Sequence, residues 1–149
     1  MNNCTTATLG VALIGSGSMG AFHGASLAQR LPAARLTAVA DPAPGAAERL
    51  AADLGASAAY TEPAQALADP DVDAVVIAAP ARFHGDPVVA AARAGKALVC
   101  EKPAGLSLAE LDRGVQPAVR AGLGRSSGAA GRRDPRDPAT APLGDARPR

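Results

Sequence analysis

The chain has 149 residues, enough for one ordinary core and too few for a second full domain. Hydrophobic residues make up 48% and charged residues 19%, a globular balance, but aromatics supply only 2%, so Ala, Val, Leu and Ile must build the interior. A formal net charge of +1 provides no general field to gather nucleic acid or an anionic membrane surface, so neither is expected as a partner and binding must be local.

Residues 1–8 read as a flexible N-terminus. The opening MNNCTTATLGVALIG lacks a basic n-region, its apolar run is short and leads straight into a glycine turn, and no stretch approaches a membrane span. Cys4 lies in that N-terminal tail and Cys100 ends an apolar run, which indicates neither a disulfide framework nor a metal cluster. A soluble, unexported protein in the reduced cytoplasm is the expectation.

The compact run LGVALI, Leu9–Ile14, suits a strand buried on both faces of a parallel sheet. Residues 18–31 read as a helix closed by Pro32, and residues 35–40 (RLTAVA) as a second strand ending at Asp41. GAAERLAADLG predicts a helix ending at Gly55, residues 58–61 a short third strand, and EPAQALAD a brief helix opened by Pro63. DVDAVVIAAP is the clearest strand, with Val75, Val76 and Ile77 consecutive and Pro80 at its exit. A helix over residues 86–94 is stopped by Gly95, ALVC at Ala97–Cys100 makes a fifth strand, and Ser107 with Glu110 gives a capping box ahead of one more helix.

Strands alternating with helices at this spacing imply parallel pairing through right-handed crossovers: an α/β fold, a Rossmann-type doubly wound parallel sheet, as a single domain over residues 9–121. From residue 122 the text changes to Arg, Gly and Pro with almost no large apolar side chain, so residues 122–149 are expected to be a disordered tail. Asp134, Asp137 and Asp145 dilute the basic charge of this tail, and it contains no aromatic residue, which argues against nucleic-acid binding.

Gly15, Gly17 and Gly20 form G-S-G-S-M-G between a strand and a helix, the setting in which this motif points to a dinucleotide. Gly15 permits the tight turn, Gly17 lets the backbone approach the pyrophosphate, and Gly20 allows close packing of the helix. The helix start at Ser18 and Met19 offers free N–H groups and a positive dipole end to phosphates. Asp41, about twenty residues past Gly20 at the end of the second strand, can accept hydrogen bonds from the adenosine ribose hydroxyls, which favours NAD over NADP. Capping the turn that begins at Pro42 is the other task open to it.

With A-A-P-A-R-F-H at residues 78–84 and C-E-K-P-A-G-L-S at residues 100–107, these features resemble the glucose-fructose oxidoreductase / inositol dehydrogenase (Gfo/Idh/MocA) family over residues 9–120. The resemblance implies an NAD(P)-dependent oxidoreductase acting on sugars, cyclitols or related hydroxyl compounds. It places Ala79, Pro80 and His84 beside the cofactor, and Glu101 and Lys102 near the nicotinamide end. Lys102 follows a strand's carboxyl end, where ligands of open α/β sheets bind, so its cation can donate to a substrate hydroxyl or the nicotinamide ribose and act as the catalytic residue. A solvated lysine is the plain alternative, as is a salt-bridged or solvated Glu101. His84 is equally readable as a polar surface residue, His23 reads as a surface residue, Cys100 as a small packed side chain, and Pro103 as the residue that fixes the turn.

The family implies a second α/β domain that supplies most of the substrate pocket and a further acid/base pair. Here the text after the Ser107 helix runs R-A-G-L-G-R-S-S-G, so the expectation is the cofactor half of such an enzyme, truncated by a frameshift or premature end and poorly active alone. A small hydroxylated substrate is then expected only if a second domain is supplied. The alternative is a stand-alone, non-catalytic dinucleotide-binding or redox-sensing module.

Overall fold

A computed structural model of the chain describes residues 8–103 and, beyond them, Ala109, Asp112, Arg113 and Gln116. The expected domain end at residue 121, the Ser107 capping box and the tail from residue 122 lie outside the described residues.

Strand β1 (Leu9–Ile14) is buried at every residue after Leu9, as its unbroken apolar run requires of a central parallel strand. It is followed in chain order by α1 (Ser18–Gln29), β2 (Ala34–Ala40), α2 (Ala46–Leu54), β3 (Ala58–Tyr60), α3 (Pro63–Ala68), β4 (Ala74–Ile77), α4 (Gly85–Arg93) and β5 (Ala97–Cys100). The five strands pair in parallel in the order β3-β2-β1-β4-β5. That is the doubly wound arrangement, and the order reverses between β1 and β4.

Alternate residues of each strand feed two apolar layers. Val11, Leu13, Leu36 and Val39 meet Leu27 of α1 and Ala47 and Ala51 of α2 on one face. Ala12, Ile14, Ala38, Ala40, Val75 and Ile77 meet Ala66 and Leu67 of α3 and Ala91 of α4 on the other. Alanine predominates where helix meets sheet, which brings the layers close and explains how so few aromatics suffice. Leu36 and Ala38 serve opposite faces although they are two apart. A register shift sets Val11 opposite Leu36 and Ala12 opposite Ala38, leaving Thr37 as the extra residue of a bulge.

Several element ends differ from the sequence reading. Helix α1 stops at Gln29, two residues short, because Leu31 precedes Pro32 and is driven out of the helical region; its carbonyl instead accepts the Ala34 N–H at 3.0 Å and launches β2. Strand β4 is confined to Ala74–Ile77, and the residues after it turn through Ala78 to Pro80 into a single unpredicted 3-10 turn, Ala81–Phe83. Among the described residues strand β5 forms one edge of the sheet and β3 the other, with Ala97 and Val99 of β5 exposed. No helix among the described residues is long and apolar enough to cross a membrane.

Candidate functional site

At the carboxyl end of β1 the chain turns through Gly15 at φ +97°, a conformation that excludes an ordinary side chain. A Cβ there would also lie 2.7 Å from the Ala79 nitrogen and 2.8 Å from the Ala78 carbonyl carbon. The exit of β1 thus presses against the exit of β4, where the strand order reverses. Gly20 has a related cause: its Cβ would sit 2.0 Å from the Gly15 carbonyl oxygen, so the first turn of α1 rests on the glycine turn itself more than on the sheet. Gly17 differs from both. No atom lies within 4 Å of the place its Cβ would take, and the space above it is open.

Gly17 is also the N-cap of α1, which has no side-chain cap and no acidic residue in its first turn. The leading N–H groups and the positive end of the helix dipole are therefore available to an anion. Ser18 and Met19 stand exposed beside them.

Asp41 enters from β2. Its Oδ2 accepts the Ser16 amide at 2.8 Å and the Ser16 hydroxyl at 2.6 Å, while Oδ1 accepts the Ala43 amide at 2.9 Å. Burial alone would push this carboxyl up; the hydrogen bonds from Ser16 and Ala43 outweigh it and hold the group below its ordinary value. Asp41 thus caps the following turn and also fastens β2 to the glycine turn. Because a carboxylate oxygen has two acceptor sites, Oδ1 keeps one for a further donor. Ser16 is not among the residues the sequence singles out; as the middle residue of G-S-G it carries the only side chain between two glycines, and that position is its available signal.

Together these residues wall a cleft of about 1160 Å³, with Gly15, Gly17, Ser18 and Met19 on one side, Asp41 and the start of α3 at one end, and Ala79 and Pro80 along the other side. Arg82 and Phe83 continue that side, the Arg82 guanidinium standing 4.6 Å from the Phe83 ring centre. Gly20 lies beneath the turn. His84, Glu101 and Lys102 are outside the cleft lining.

The E-K-P turn follows β5, and its Lys102–Pro103 peptide bond is cis. Lys102 is exposed. Glu101 is paired: its Oε1 lies 2.6 Å from His23 Nε2, so His23, half-buried on α1, belongs to this turn and is not a free surface residue. The contact with His23 holds the Glu101 carboxyl below its ordinary value, against a smaller opposing effect of burial. Burial pushes the Cys100 thiol up to about 11, with the Glu101 charge adding to it, which suits a packed side chain and not a nucleophile. His84 is 1% exposed, with Nδ1 2.8 Å from the Pro103 carbonyl oxygen and Nε2 against that of Ala79. A surface role for His84 is therefore corrected, and both ring nitrogens are already occupied.

Comparison with known proteins agrees with this geometry. A family model described as an oxidoreductase family with an NAD-binding Rossmann fold, GFO_IDH_MocA, matches residues 9–127. The chain belongs to the Gfo/Idh/MocA family. Among curated members, the chain is 41% identical over 99 residues to scyllo-inositol 2-dehydrogenase (NAD(+)) of Bacillus subtilis, covering 66% of this chain and 29% of that protein. It is 45% identical over 95 residues to inositol 2-dehydrogenase of Streptomyces avermitilis, covering 64% and 28%. Thus the chain spans less than a third of the length of these Gfo/Idh/MocA relatives. Among solved structures, an NAD binding oxidoreductase from Klebsiella pneumoniae superimposes with a TM-score of 0.69 at 40% identity, over 78% of this chain and 33% of that one. Scyllo-inositol dehydrogenase from Lactobacillus casei, solved with bound NAD(H) and scyllo-inositol, gives a TM-score of 0.73 at 26% identity, over 77% and 34%.

Proposed function

We propose that the chain binds NAD(H) in this cleft, as the cofactor-binding portion of an oxidoreductase acting on a cyclitol, a sugar or a related hydroxyl compound. The observation that carries the reading is the face of the glycine turn. Gly17 leaves open space where a side chain would stand, and α1 begins there without a side-chain cap. A pyrophosphate fits that space and those N–H groups. Asp41 accepts from an adenosine ribose hydroxyl through the free site on Oδ1, and its charge disfavours a 2′-phosphate, so NAD is the preferred form.

When bound, the nicotinamide supplies the hydride acceptor. The chain's own residues bind and orient it: Ala79 and Pro80 bound the cleft beyond the pyrophosphate, and Lys102 donates to the nicotinamide ribose or to the substrate hydroxyl. The ammonium of Lys102 also stabilises negative charge that develops on that oxygen as its hydrogen leaves. The names of the Bacillus subtilis and Lactobacillus casei proteins make an inositol the first substrate to test.

A second reading, dinucleotide binding without turnover, is favoured by one feature. His84 is buried with both ring nitrogens taken up, and His23, whose Nε2 is held by Glu101, lies outside the cleft lining, so among the described residues no histidine lines the cleft to accept the hydroxyl proton. NADH titration followed by an assay of NAD reduction with scyllo- and myo-inositol separates the two. Saturable NADH binding with inositol-dependent NADH formation supports the enzyme, binding alone supports the second reading, and absence of binding contradicts both.

A further inference from the structure

The chain contains two histidines, His23 and His84, 61 positions apart by their numbers, and both contact the E-K-P turn. One reaches the residue before Lys102 and the other the residue after it. We propose that His23 and His84 are positioning residues that hold the turn carrying Lys102 against the walls of the cleft beside it. This rests on the reading that Lys102 serves the nicotinamide end.

The need for such holding follows from the sheet. Among the described residues strand β5 is an edge strand, paired only with β4, and the last backbone bond at its end runs from the Glu101 N–H to the Ile77 carbonyl at 2.9 Å. Past that bond no ladder bond among the described residues supports Lys102 or Pro103. A lysine has a flexible four-carbon stem, so the position of its ammonium is only as definite as the backbone that bears it. Side chains take over where the ladder stops. His23 holds the Glu101 carboxylate through Oε1, and the other carboxylate oxygen, Oε2, accepts the Lys102 N–H at 3.3 Å. On the far side, His84 Nδ1 holds the Pro103 carbonyl at 2.8 Å.

The origins of the two histidines matter as much as their targets. His23 projects from α1, whose first turn rests on the glycine turn, and His84 touches Ala79, which borders the cleft. The Lys102 turn is thereby referenced to two of the cleft walls at once. Glu101 acts here as a strut and not as an acid or base.

The test uses the full chain and variants of it, read by NADH affinity and by amide hydrogen exchange at Glu101 and Lys102. His23 is only half-buried, so His23→Ala folds and carries the test by itself. It is expected to speed Lys102 exchange about tenfold or more and to weaken NADH binding roughly three- to tenfold. His23→Gln keeps a donor near Nε2 and restores both. In a Lys102→Met background, His23→Ala is expected to cause no further loss of affinity, because its effect runs through Lys102. At the buried site, His84→Asn keeps a donor near Nδ1 and is expected to bind NADH more tightly than His84→Gln. Unchanged Lys102 exchange in His23→Ala overturns the proposal, as does an affinity loss that persists in the Lys102→Met background. Wild-type affinity in Lys102→Met instead overturns the role given to Lys102, while exchange at Lys102 still decides whether the histidines hold the turn.

Discussion

The glycine turn and the E-K-P turn both close the carboxyl end of the sheet, yet they are built in opposite ways. The first is shaped by missing side chains: Gly20 leaves room for the Gly15 carbonyl beside it in the turn, and Gly15 leaves room for the backbone of Ala78 and Ala79 at the exit of β4. The second is shaped by side chains that arrive from far away, with His23 and Glu101 separated by 78 positions and His84 and Pro103 by 19. Backbone packed on backbone makes a rigid anion platform. Construction from side-chain contacts ties the position of Lys102 to the integrity of the whole cleft.

Substitutions at the two kinds of glycine give the largest expected contrast. Gly15→Ala forces a Cβ into a positive-φ residue and onto the Ala79 backbone, and should destabilise the fold by about 3 kcal/mol or more in chemical denaturation. Gly17→Ala meets nothing within 4 Å, so the same experiment should leave stability within about 1 kcal/mol while NADH affinity falls about tenfold or more. Equal stability losses at both positions would erase the distinction drawn between them.

Truncating Leu13, fully buried in the layer under α1 and α2, comes next. Leu13→Ala should cost about 2–5 kcal/mol through lost burial and the cavity left behind. The smallest expected effect is on the pH dependence of stability. Asp41 and Glu101 both have carboxyl values held below the ordinary range in the folded chain. An unfolded chain therefore binds more protons as pH falls, so the stabilisation is complete above the ordinary carboxylate range of about pH 4 and is lost as pH drops below it through the lowered folded values. A denaturation series across that range should show the fall, and Asp41→Asn should make it shallower. Glu101 contributes less because its side chain is 30% exposed. An identical slope in Asp41→Asn would remove Asp41 from the effect.

Legibility in the sequence followed the same division. All five strands and the helices between them were readable because their signals are local: apolar runs such as LGVALI and AVVI, and stops at Pro32, Gly55 and Gly95. Gly15, Gly17 and Asp41 could be placed in one cleft because strand order fixes where strand ends meet. The partners of Glu101 could not be read, since nothing in the text near residue 23 signals a contact with residue 101. His84 looked like an ordinary residue at the start of a helix. Its contacts with Pro103 of the Lys102 turn and with Ala79 accompany its place among the most buried polar groups of the described residues. Ser16 was obscured by its flanking glycines, and its bonds to Asp41 show that one carboxylate can cap a turn and still face a cleft.

Dinucleotide binding at the glycine turn is tested most directly by calorimetric titration of NADH and NADPH into the full chain and into Asp41→Ala. The expected result is one saturable site on the full chain, NADH binding about tenfold or more tightly than NADPH, and a gap that narrows in Asp41→Ala as NADH affinity falls. Absence of binding would contradict the cleft as a dinucleotide site, and equal affinities for the two on the full chain would contradict the part assigned to Asp41.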